Sequence, residues 1–494
     1  MEQLRGPVDR LGFSLYHAVS DVIRRTAGDS TDERRSFVVG SFSAAAAAAL
    51  IYVGSGGATE ENLLRVLHLE NLFESRVTPE LVMLAFRQAI TTLTKRVDKH
   101  FPLDEAILYS GFQVYLANKV FLRVGTQCTS EFRANAKDSF DMDVDEIGCR
   151  TLTLAETRDQ INEWVRVNTN GKIEEMLPLL TLEDCLHPAA NMFLVNACCM
   201  RGKWDTPFPR ERTQRRPFHS ADGKTFSTEF MNVTGHFPFH EDEHLQVQYL
   251  ELPYVNREAS FCMVLPMAKK KKCGLFDLEG KLHFDSLSQL STRKRLRTVA
   301  VCLPKFDIEN TFDLKDLFVR VGMQSAFKDD ADFSRMVESN KFHLAGAFHK
   351  VTMEIDETGT FSEAVPDCPM ESEPATAFTL EVPTVGMPTA GTRPRATSFS
   401  KYDLAEKNLP DGLIKPTVTD VATFTADRPF MFAVRHNLSG VILFDGRVST
   451  IPTWPPKPGH MKLPSDHSTA FMVSPKFLRK MARDYFPRPR RDSQ

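Results

Sequence analysis

The spacing of apolar residues divides the chain into a helical first part and a strand-rich remainder. From Leu11 to about Lys99 apolar residues recur at helical spacing, with one interruption at residues 54–59, and the first helix is amphipathic. Beyond Val114, short apolar runs typical of strands lie between helical segments without regular βαβ alternation, which predicts an α+β fold. The predicted strands are residues 120–124, 192–200, 245–252, 261–265 and 298–306, and the predicted helices among them are 153–169 and 314–321.

Residues 427–452 have the pattern of a buried hairpin. Residues 430–434 and 441–444 are continuously apolar, which is typical of strands covered on both faces. Residues 437–440 supply a tight turn between the two runs. The second strand ends in Gly446, Arg447 and Val448.

This hairpin resembles the C-terminal signature of the serpins, a family of serine-protease inhibitors that act by conformational trapping. Further segments resemble the same family in the same order along the chain. They are Asn118-Lys119-Val120-Phe121, Ile161-Asn162-Glu163-Trp164-Val165, Thr169-Asn170-Gly171-Lys172-Ile173, Leu194-Val195-Asn196-Ala197, Arg201-Gly202-Lys203-Trp204, Glu251-Leu252-Pro253-Tyr254, Met263-Val264-Leu265-Pro266, Leu303-Pro304-Lys305-Phe306 and Ala331-Asp332-Phe333-Ser334. The resemblance implies one serpin-like domain over residues 1–452, with three β-sheets surrounded by about eight or nine helices.

Composition and charge exclude several classes of partner. Of the 494 residues 42% are apolar, enough for a large buried core, and the net charge of −3 provides no field to attract nucleic acid or an anionic membrane. The longest apolar run, residues 44–53, has about half of the roughly 20 residues that a membrane-spanning helix requires. We therefore expect no membrane partner, and from the resemblance a monomer without a cofactor.

The N-terminus and the cysteines favour a reducing compartment. Residues 1–25 have no apolar stretch followed by a small-residue cleavage site, unlike a secretory signal. The nine cysteines form no CxxC pair, and Cys198 and Cys199 are adjacent in an apolar strand, which predicts buried free thiols. These features predict a cytoplasmic protein. The alternative is an extracellular one, if the N-terminus is incomplete or export is unconventional, because many family members are secreted.

Two segments depart from the globular pattern. Residues 366–420 are rich in Pro, Thr, Ser and Gly and poor in aromatic residues, which predicts a long disordered loop inserted in the domain. Residues 453–494 extend beyond the usual end of the family and predict a flexible basic tail with a short helix at 475–485.

The resemblance implies a protease inhibitor rather than an enzyme. Inhibitory serpins expose a loop that, once cut by a serine or cysteine protease, inserts as a new strand into the central sheet and distorts the acylated enzyme. The hinge of this loop corresponds here to Glu357, Thr358, Gly359, Thr360, Phe361, Ser362, Glu363 and Ala364.

The resemblance also implies a gate through which the loop enters the sheet. Ser43, Asn196 and His349 occupy positions that hydrogen-bond across the sheet opening, and Trp204 lies at the top of the entry point. Gly40 stands where the family has the first serine of that region. The loss of one hydroxyl is expected to weaken the buried polar network without abolishing it.

The loop sequence opposes full insertion. Pro366 and Pro369 lack the N–H that a central strand donates, so we expect insertion to stop after about Ala364. In family inhibitors the scissile bond lies roughly seventeen residues past the hinge glutamate. That distance falls near Glu373-Pro374, a bond that few serine proteases cut, whereas Arg395-Ala396 suits a trypsin-like enzyme but leaves a much longer tether.

Two functional classes therefore remain open. The family favours a suicide inhibitor of serine or cysteine proteases. Pro366, Pro369, Glu363 and the loop insertion favour a non-inhibitory binding or chaperone-like protein on the same fold.

Other motifs are weaker. His240 and His244 match H-E-x-x-H, in which a helix presents two zinc ligands, but Pro238 and the alternating residues that follow predict a loop leading into a strand, so no metal site is predicted. Gly223-Lys224-Thr225 predicts a hairpin turn rather than a phosphate loop. Lys269 to Lys272 and Arg293 to Arg297 are candidate polyanion sites, although a solvated surface with compensating acids is the preferred interpretation.

Overall fold

The structure, a computed structural model, describes residues 1–27, 35–71, 77–94, 111–147, 154–176, 192–267, 274–338, 342–360 and 421–451. The predicted loop insertion 366–420, the tail 453–494 with its helix, and Lys269 to Lys272 lie outside the described residues. The α-helices in the described ranges are α1 (Arg5–Ala27), α2 (Ser41–Gly54), α3 (Gly57–Val66), α4 (Pro79–Thr94), α5 (Ser130–Phe140), α6 (Leu154–Asn168), α7 (Leu275–Glu279), α8 (Ser286–Arg293) and α9 (Leu314–Arg320). None of these described helices is both long and apolar enough to cross a membrane.

Fifteen strands accompany the helices in the described ranges. They are β1 (Phe37–Val39), β2 (Phe112–Arg123), β3 (Asp143–Ile147), β4 (Met192–Lys203), β5 (Gln214–His219), β6 (Thr225–Asp242), β7 (Val247–Pro253), β8 (Ala259–Pro266), β9 (Arg295–Pro304), β10 (Phe306–Asp313), β11 (Leu344–Ile355), β12 (Gly359–Thr360), β13 (Ala422–Thr425), β14 (Phe430–His436) and β15 (Ile442–Val448).

Six strands form the sheet that concerns function, in the order β10-β11-β12-β4-β2-β3. Strands β11 and β4 are parallel and pair directly from Leu344 with Met192 up to Val351 with Cys198. Beyond that point the short β12 pairs with both of them. A third strand therefore lies between β11 and β4 at one end of the sheet only.

The remaining strands form a larger sheet in the order β1-β15-β14-β8-β7-β6-β9-β13, with β5 also paired to β6. The 18-residue β6 belongs to two groups of strands, because its first part pairs with β5 and β9 and its last four residues pair with β7. The strands thus form the three expected groups, two of which share β6 and are hydrogen-bonded into one sheet.

The core explains why the predicted strands are so apolar. One hydrophobic cluster joins both sheets to α1, α2 and α4, and every residue of α2 is buried. A second cluster lies where α6 packs on the six-stranded sheet, with Ile161 and Val165 beside Phe193, Val195 and Phe348. Strand β4 is therefore covered on both faces, as its continuous apolar sequence indicates.

The α+β fold and the hairpin of β14 and β15 confirm the sequence prediction. Cys198 and Cys199 are buried and free, also as predicted. The interruption of the helical pattern predicted at 54–59 is too long, because α3 already begins at Gly57. Strands β1, β3, β5, β6, β10 and β13 were not predicted. Two of them have weak patterns, since β1 has three residues and β5 exposes most of its side chains.

Candidate functional site

Three of the four predicted gate residues meet at one point of the six-stranded sheet. Asn118 of β2, Asn196 of β4 and His349 of β11 occupy one register level. Ser43, on α2, reaches this level from the core: the Nδ2 group of Asn196 donates to Ser43 Oγ at 2.9 Å and to the Ser43 carbonyl at 3.1 Å, and also donates to Asn118 Oδ1 at 2.7 Å. A buried polar network thus spans three strands and a helix.

The hydrogen bonds of His349 define its tautomer. The backbone N–H of Gly40 donates to Nε2 at 3.0 Å, so Nε2 is an acceptor and the proton of the neutral ring lies on Nδ1. Nδ1 then donates to Asn196 Oδ1 at 2.5 Å. Burial lowers the pKa of His349 to about 4, so the ring is neutral at pH 7 and connects β11 with β4 and the start of α2.

Packing explains why residue 40 is a glycine, which the sequence alone does not reveal. A Cβ atom at this position would lie 2.2 Å from the Sγ of Cys198 and 3.1 Å from Cε1 of His349. The Cys198 thiol therefore occupies the space beside Gly40 that the side chain of a serine would need. Cys198 and Asn118 belong to this site, although only strand register reveals their place in it.

Trp204 does not join this network. Its ring stacks on Tyr254 at a centroid distance of 4.8 Å, and its Nε1 group donates to the Asp356 carbonyl at 3.0 Å. Its backbone N–H donates to the Thr358 carbonyl at 2.9 Å. Trp204 therefore contacts the hinge itself, at the end of the sheet where β12 lies.

The hinge is fixed by a turn and a buried ion pair. Asp356 Oδ1 accepts hydrogen bonds from the backbone N–H groups of Thr358 at 2.7 Å and Gly359 at 3.0 Å, which closes the turn after β11. Glu357 lies 3.2 Å from Lys305 Nζ and accepts a hydrogen bond from Thr213 Oγ1 at 2.8 Å. Burial alone would raise the pKa of Glu357, but its hydrogen bonds and Lys305 outweigh that effect and lower it.

Beyond this turn, the chain enters the sheet. Gly359 pairs with Lys203, and Thr360 pairs with Gly202 on one side and Ile355 on the other. The Thr360 hydroxyl is buried and lies 2.7 Å from the Tyr254 hydroxyl. Gly359 is required because a Cβ there would lie 1.8 Å from the Gly202 carbonyl oxygen. The other predicted hinge residues, Phe361, Ser362, Glu363 and Ala364, and both candidate scissile bonds, Glu373-Pro374 and Arg395-Ala396, lie outside the described residues.

The H-E-x-x-H residues are not presented by a helix. His240 lies in the last part of β6 and His244 in the turn that follows, where the Asp242 carboxylate accepts the His244 backbone N–H at 3.0 Å. No helix forms here, as predicted, but the predicted loop is wrong for His240, because β6 extends to Asp242 and only His244 lies in the turn. Within the described residues, no group of three or more His, Cys, Asp or Glu side chains has the arrangement of a metal site.

The basic cluster Arg293 to Arg297 is partly neutralised by nearby carboxylates. Arg293 forms an ion pair of 2.9 Å with Asp242, and Lys294 forms one of 2.7 Å with Glu251. The compensating acids expected from the sequence are therefore present around Arg293 to Arg297. A polyanion site at this cluster stays a prediction.

The described residues thus form an α+β domain in which a short strand, β12, lies between the parallel strands β11 and β4 at one end of the six-stranded sheet. The family model described as Serpin (serine protease inhibitor) matches residues 9–451, so the chain belongs to the serpin family. The pig leukocyte elastase inhibitor is 26% identical over 453 residues, which cover 91% of this chain and 100% of that protein. The human plasminogen activator inhibitor 2 is 26% identical over 426 residues, which cover 81% of this chain and 90% of that protein.

Solved structures give the same fold. The Tenebrio molitor serpin48 structure has a TM-score of 0.66 at 23% identity and covers 90% of this chain and 98% of its own. The structure of uncleaved ovalbumin has a TM-score of 0.66 at 20% identity and covers 89% of this chain and 99% of its own. At these identities the likeness concerns the fold alone.

Proposed function

We propose that this serpin inhibits serine or cysteine endopeptidases, by cleavage of the segment after Thr360 and insertion of the hinge into the six-stranded sheet. The observation that carries this proposal is the position of β12. Thr360 already pairs with β4 and β11 and buries its hydroxyl against Tyr254. This pairing of Thr360 between the two strands supports the proposal, as do the protease inhibitors among the relatives of the chain.

Strand register supports a further stretch of insertion. In the register of β12, Phe361, Ser362 and Glu363 would lie beside Arg201, Met200 and Cys199 in turn. Direct pairing between β11 and β4 reaches only Val351 and Cys198, so these three positions would separate no existing pair.

Insertion past Glu363 requires the gate to open. Ala364 would fall at the level of the Val351–Cys198 pair, and each later residue would separate another pair of β11 and β4. Two residues farther on, the inserted strand would reach His349 and Asn196 and separate their side chains. We therefore assign to the Ser43, Asn196 and His349 network the role of holding the sheet closed until cleavage.

A second candidate function, a non-inhibitory binding or chaperone-like protein, is favoured by the position of Pro366. In the β12 register Pro366 falls at the level of His349 and Asn196, on the same face as Thr360. Its ring would separate the two side chains and offer no N–H in return. The missing ladder bond alone is worth only about 0.5–1.5 kcal/mol, so this argument weakens insertion without excluding it.

An assay for a covalent complex decides between the two functions. The full chain is incubated with trypsin-like, chymotrypsin-like, elastase-like and papain-like enzymes, and SDS-stable complexes and cleavage sites are identified by electrophoresis and mass spectrometry. We expect a complex that is lost in Thr360→Arg, since a buried hinge position cannot accept that side chain, and retained in Thr92→Arg, an exposed position on α4. Cleavage after Thr360 without any complex, or a chain that no enzyme of this panel cleaves, would contradict the inhibitor proposal and favour the non-inhibitory function.

A further inference from the structure

Thr213 lies at an exposed edge of the larger sheet. It follows the short 3₁₀ helix Arg210–Arg212 with an extended backbone, φ −74° and ψ 126°, and it immediately precedes β5. Strand β5 pairs with β6, and no other strand of the described ranges pairs with it. The register between β5 and β6 begins only at Gln214, so Thr213 itself belongs to no strand pair. Another protein can therefore reach this segment without separating two strands.

The charges of this segment are arranged around Thr213. Arg210 lies three residues before it and Arg212 one residue before it, and Arg215 and Arg216 follow two and three residues after it. The side chains of these four arginines are exposed, whereas Thr213 is half-buried. Protein kinases select a hydroxyl group by the charge pattern around it, and arginines at these spacings suit the kinases that prefer basic substrates.

The Thr213 hydroxyl is also part of the hinge. Its Oγ1 donates a hydrogen bond to the Glu357 carboxylate at 2.8 Å. The backbone N–H of Phe208, in the same stretch of chain, donates to the Glu357 carbonyl at 2.9 Å. Lys305 Nζ lies 3.2 Å from Glu357 and also 3.2 Å from Glu229. One hydroxyl donor and one shared lysine thus hold the carboxylate that fixes the turn after β11.

We propose that Thr213 is a phosphorylation site for a kinase that prefers basic substrates, and that its phosphorylation loosens the hinge. In this step Thr213 Oγ1 forms a bond to the γ-phosphorus of ATP, the bond from that phosphorus to the bridging β–γ oxygen breaks, and ADP leaves. The hydroxyl proton passes to the catalytic base of the kinase. To enter the kinase, the Thr213 side chain gives up its hydrogen bond to Glu357.

The product reverses the character of residue 213. A hydroxyl donor becomes a group with three acceptor oxygens and a charge of about −1.5 to −2. Glu357 then loses its hydrogen bond and faces a like charge, while Lys305, already shared with Glu229, is drawn toward the phosphate. Displacement of Glu357 releases the turn that directs the chain into β12. Regulation of inhibition by this site rests on the proposed function, whereas the phosphorylation and the looser hinge do not.

The test treats the full chain with ATP and the catalytic domain of protein kinase A or of protein kinase C. Phosphorylated residues are mapped by mass spectrometry, and hydrogen–deuterium exchange is measured before and after treatment. We expect phosphate on Thr213 and exchange at least about tenfold faster in a peptide covering Asp356 to Thr360, because a hydrogen bond to a charged group is lost. In Thr213→Val, which has no hydroxyl, kinase treatment should leave the exchange of this peptide unchanged. That control removes the effect of phosphate at any other position.

Two further comparisons separate recognition from the effect on the hinge. Arg210→Gln/Arg215→Gln should slow phosphorylation of Thr213 by at least about tenfold, since charged contacts to the kinase are lost. The matched control is Arg65→Gln/Arg166→Gln, which removes two exposed arginines elsewhere and should leave the rate unchanged. Thr213→Glu should accelerate exchange of the hinge peptide without a kinase, whereas Thr92→Glu, at an exposed position on α4, should not.

Three results would overturn the proposal. They are the absence of phosphate on Thr213 with both kinases, a phosphorylated Thr213 with unchanged exchange at the hinge, and a phosphorylation rate that does not respond to Arg210→Gln/Arg215→Gln. Should Thr213→Glu fold poorly, the phosphorylated wild type decides, because it folds before it is modified. No readout here involves a protease, so a failure of this proposal leaves the proposed inhibition to its own assay.

Discussion

At the scale of single residues, the buried polar network of the six-stranded sheet is built from groups that come from distant parts of the sequence. Asn196, His349 and Ser43 were identified from a resemblance, and the structure places them within hydrogen-bonding distance. For Gly40 the sequence alone indicates only that one serine hydroxyl is missing. That interpretation could not include the Cys198 thiol, because the contact depends on how α2 packs against β4 and no local pattern encodes it.

His349 gives the protein a specific pH dependence. Its pKa is about 4 in the folded state and about 6.5 in an unfolded chain, so the unfolded state takes up the proton first as the pH falls. This group therefore leaves stability unchanged above pH 6.5 and reduces it between about pH 6.5 and 4, by up to about 3 kcal/mol. We expect His349→Gln to show a smaller fall in melting temperature from pH 7.5 to pH 5 than the wild type.

The control for this measurement is His219→Gln. His219 is exposed on β5, so its replacement should leave the pH dependence of melting as it is in the wild type. Identical pH profiles for wild type and His349→Gln would show that the buried ring is not the group responsible.

The contact between Gly40 and Cys198 predicts a coupled pair of substitutions. Gly40→Ser should destabilise the protein by about 1–3 kcal/mol, because the new Cβ would overlap Sγ. Cys198→Ala removes the obstacle, so the double variant should be more stable than Gly40→Ser alone. Urea unfolding of the four proteins measures the coupling energy. Strictly additive effects would contradict the packing argument, as would a Gly40→Ser protein of wild-type stability.

At the scale of elements, the sequence predicts best where one face or both faces of a strand are buried. The apolar runs of β4, β14 and β15 are direct consequences of burial, and these strands were found. Strand β12 was not predictable as an element. It has two residues, and it exists because the Asp356 turn and the Glu357–Lys305 pair direct the chain between β11 and β4.

Because β12 depends on the passage of the chain between β11 and β4, we predict that Gly359→Ala strongly disturbs this strand. A methyl group there would lie 1.8 Å from the Gly202 carbonyl oxygen, so Thr360 could not remain paired with β4. We expect hydrogen–deuterium exchange to accelerate in a peptide covering Asp356 to Thr360, because the N–H of Asp356 donates to the Gly359 carbonyl. Gly274→Ala is the control, since nothing lies within 4 Å of its added Cβ. Unchanged exchange in Gly359→Ala would show that β12 does not depend on this close approach.

At the scale of the whole molecule, the proposed inhibition would depend on how far the six-stranded sheet opens. The resemblance predicted the fold over nearly the whole chain, because fold follows from burial patterns that many sequences share. How far the loop would insert does not follow from burial patterns. In the proposed mechanism it would depend on the register of β12 against β4 and β11, which, if continued beyond Thr360, would bring Pro366 to the level of His349 and Asn196.

The last prediction tests this register directly. Loop cleavage with trypsin should raise the melting temperature more in the Pro366→Ala/Pro369→Ala variant than in the wild type. The restored N–H groups allow the inserted strand to continue, and a strand that passes His349 gains every ladder bond beyond it, each worth about 0.5–1.5 kcal/mol. Pro383→Ala/Pro388→Ala is the matched control and should resemble the wild type, because these positions lie beyond the segment that insertion would use. Equal gains in all three proteins would mean that proline does not limit insertion, and the argument for a non-trapping function would then lose its main support.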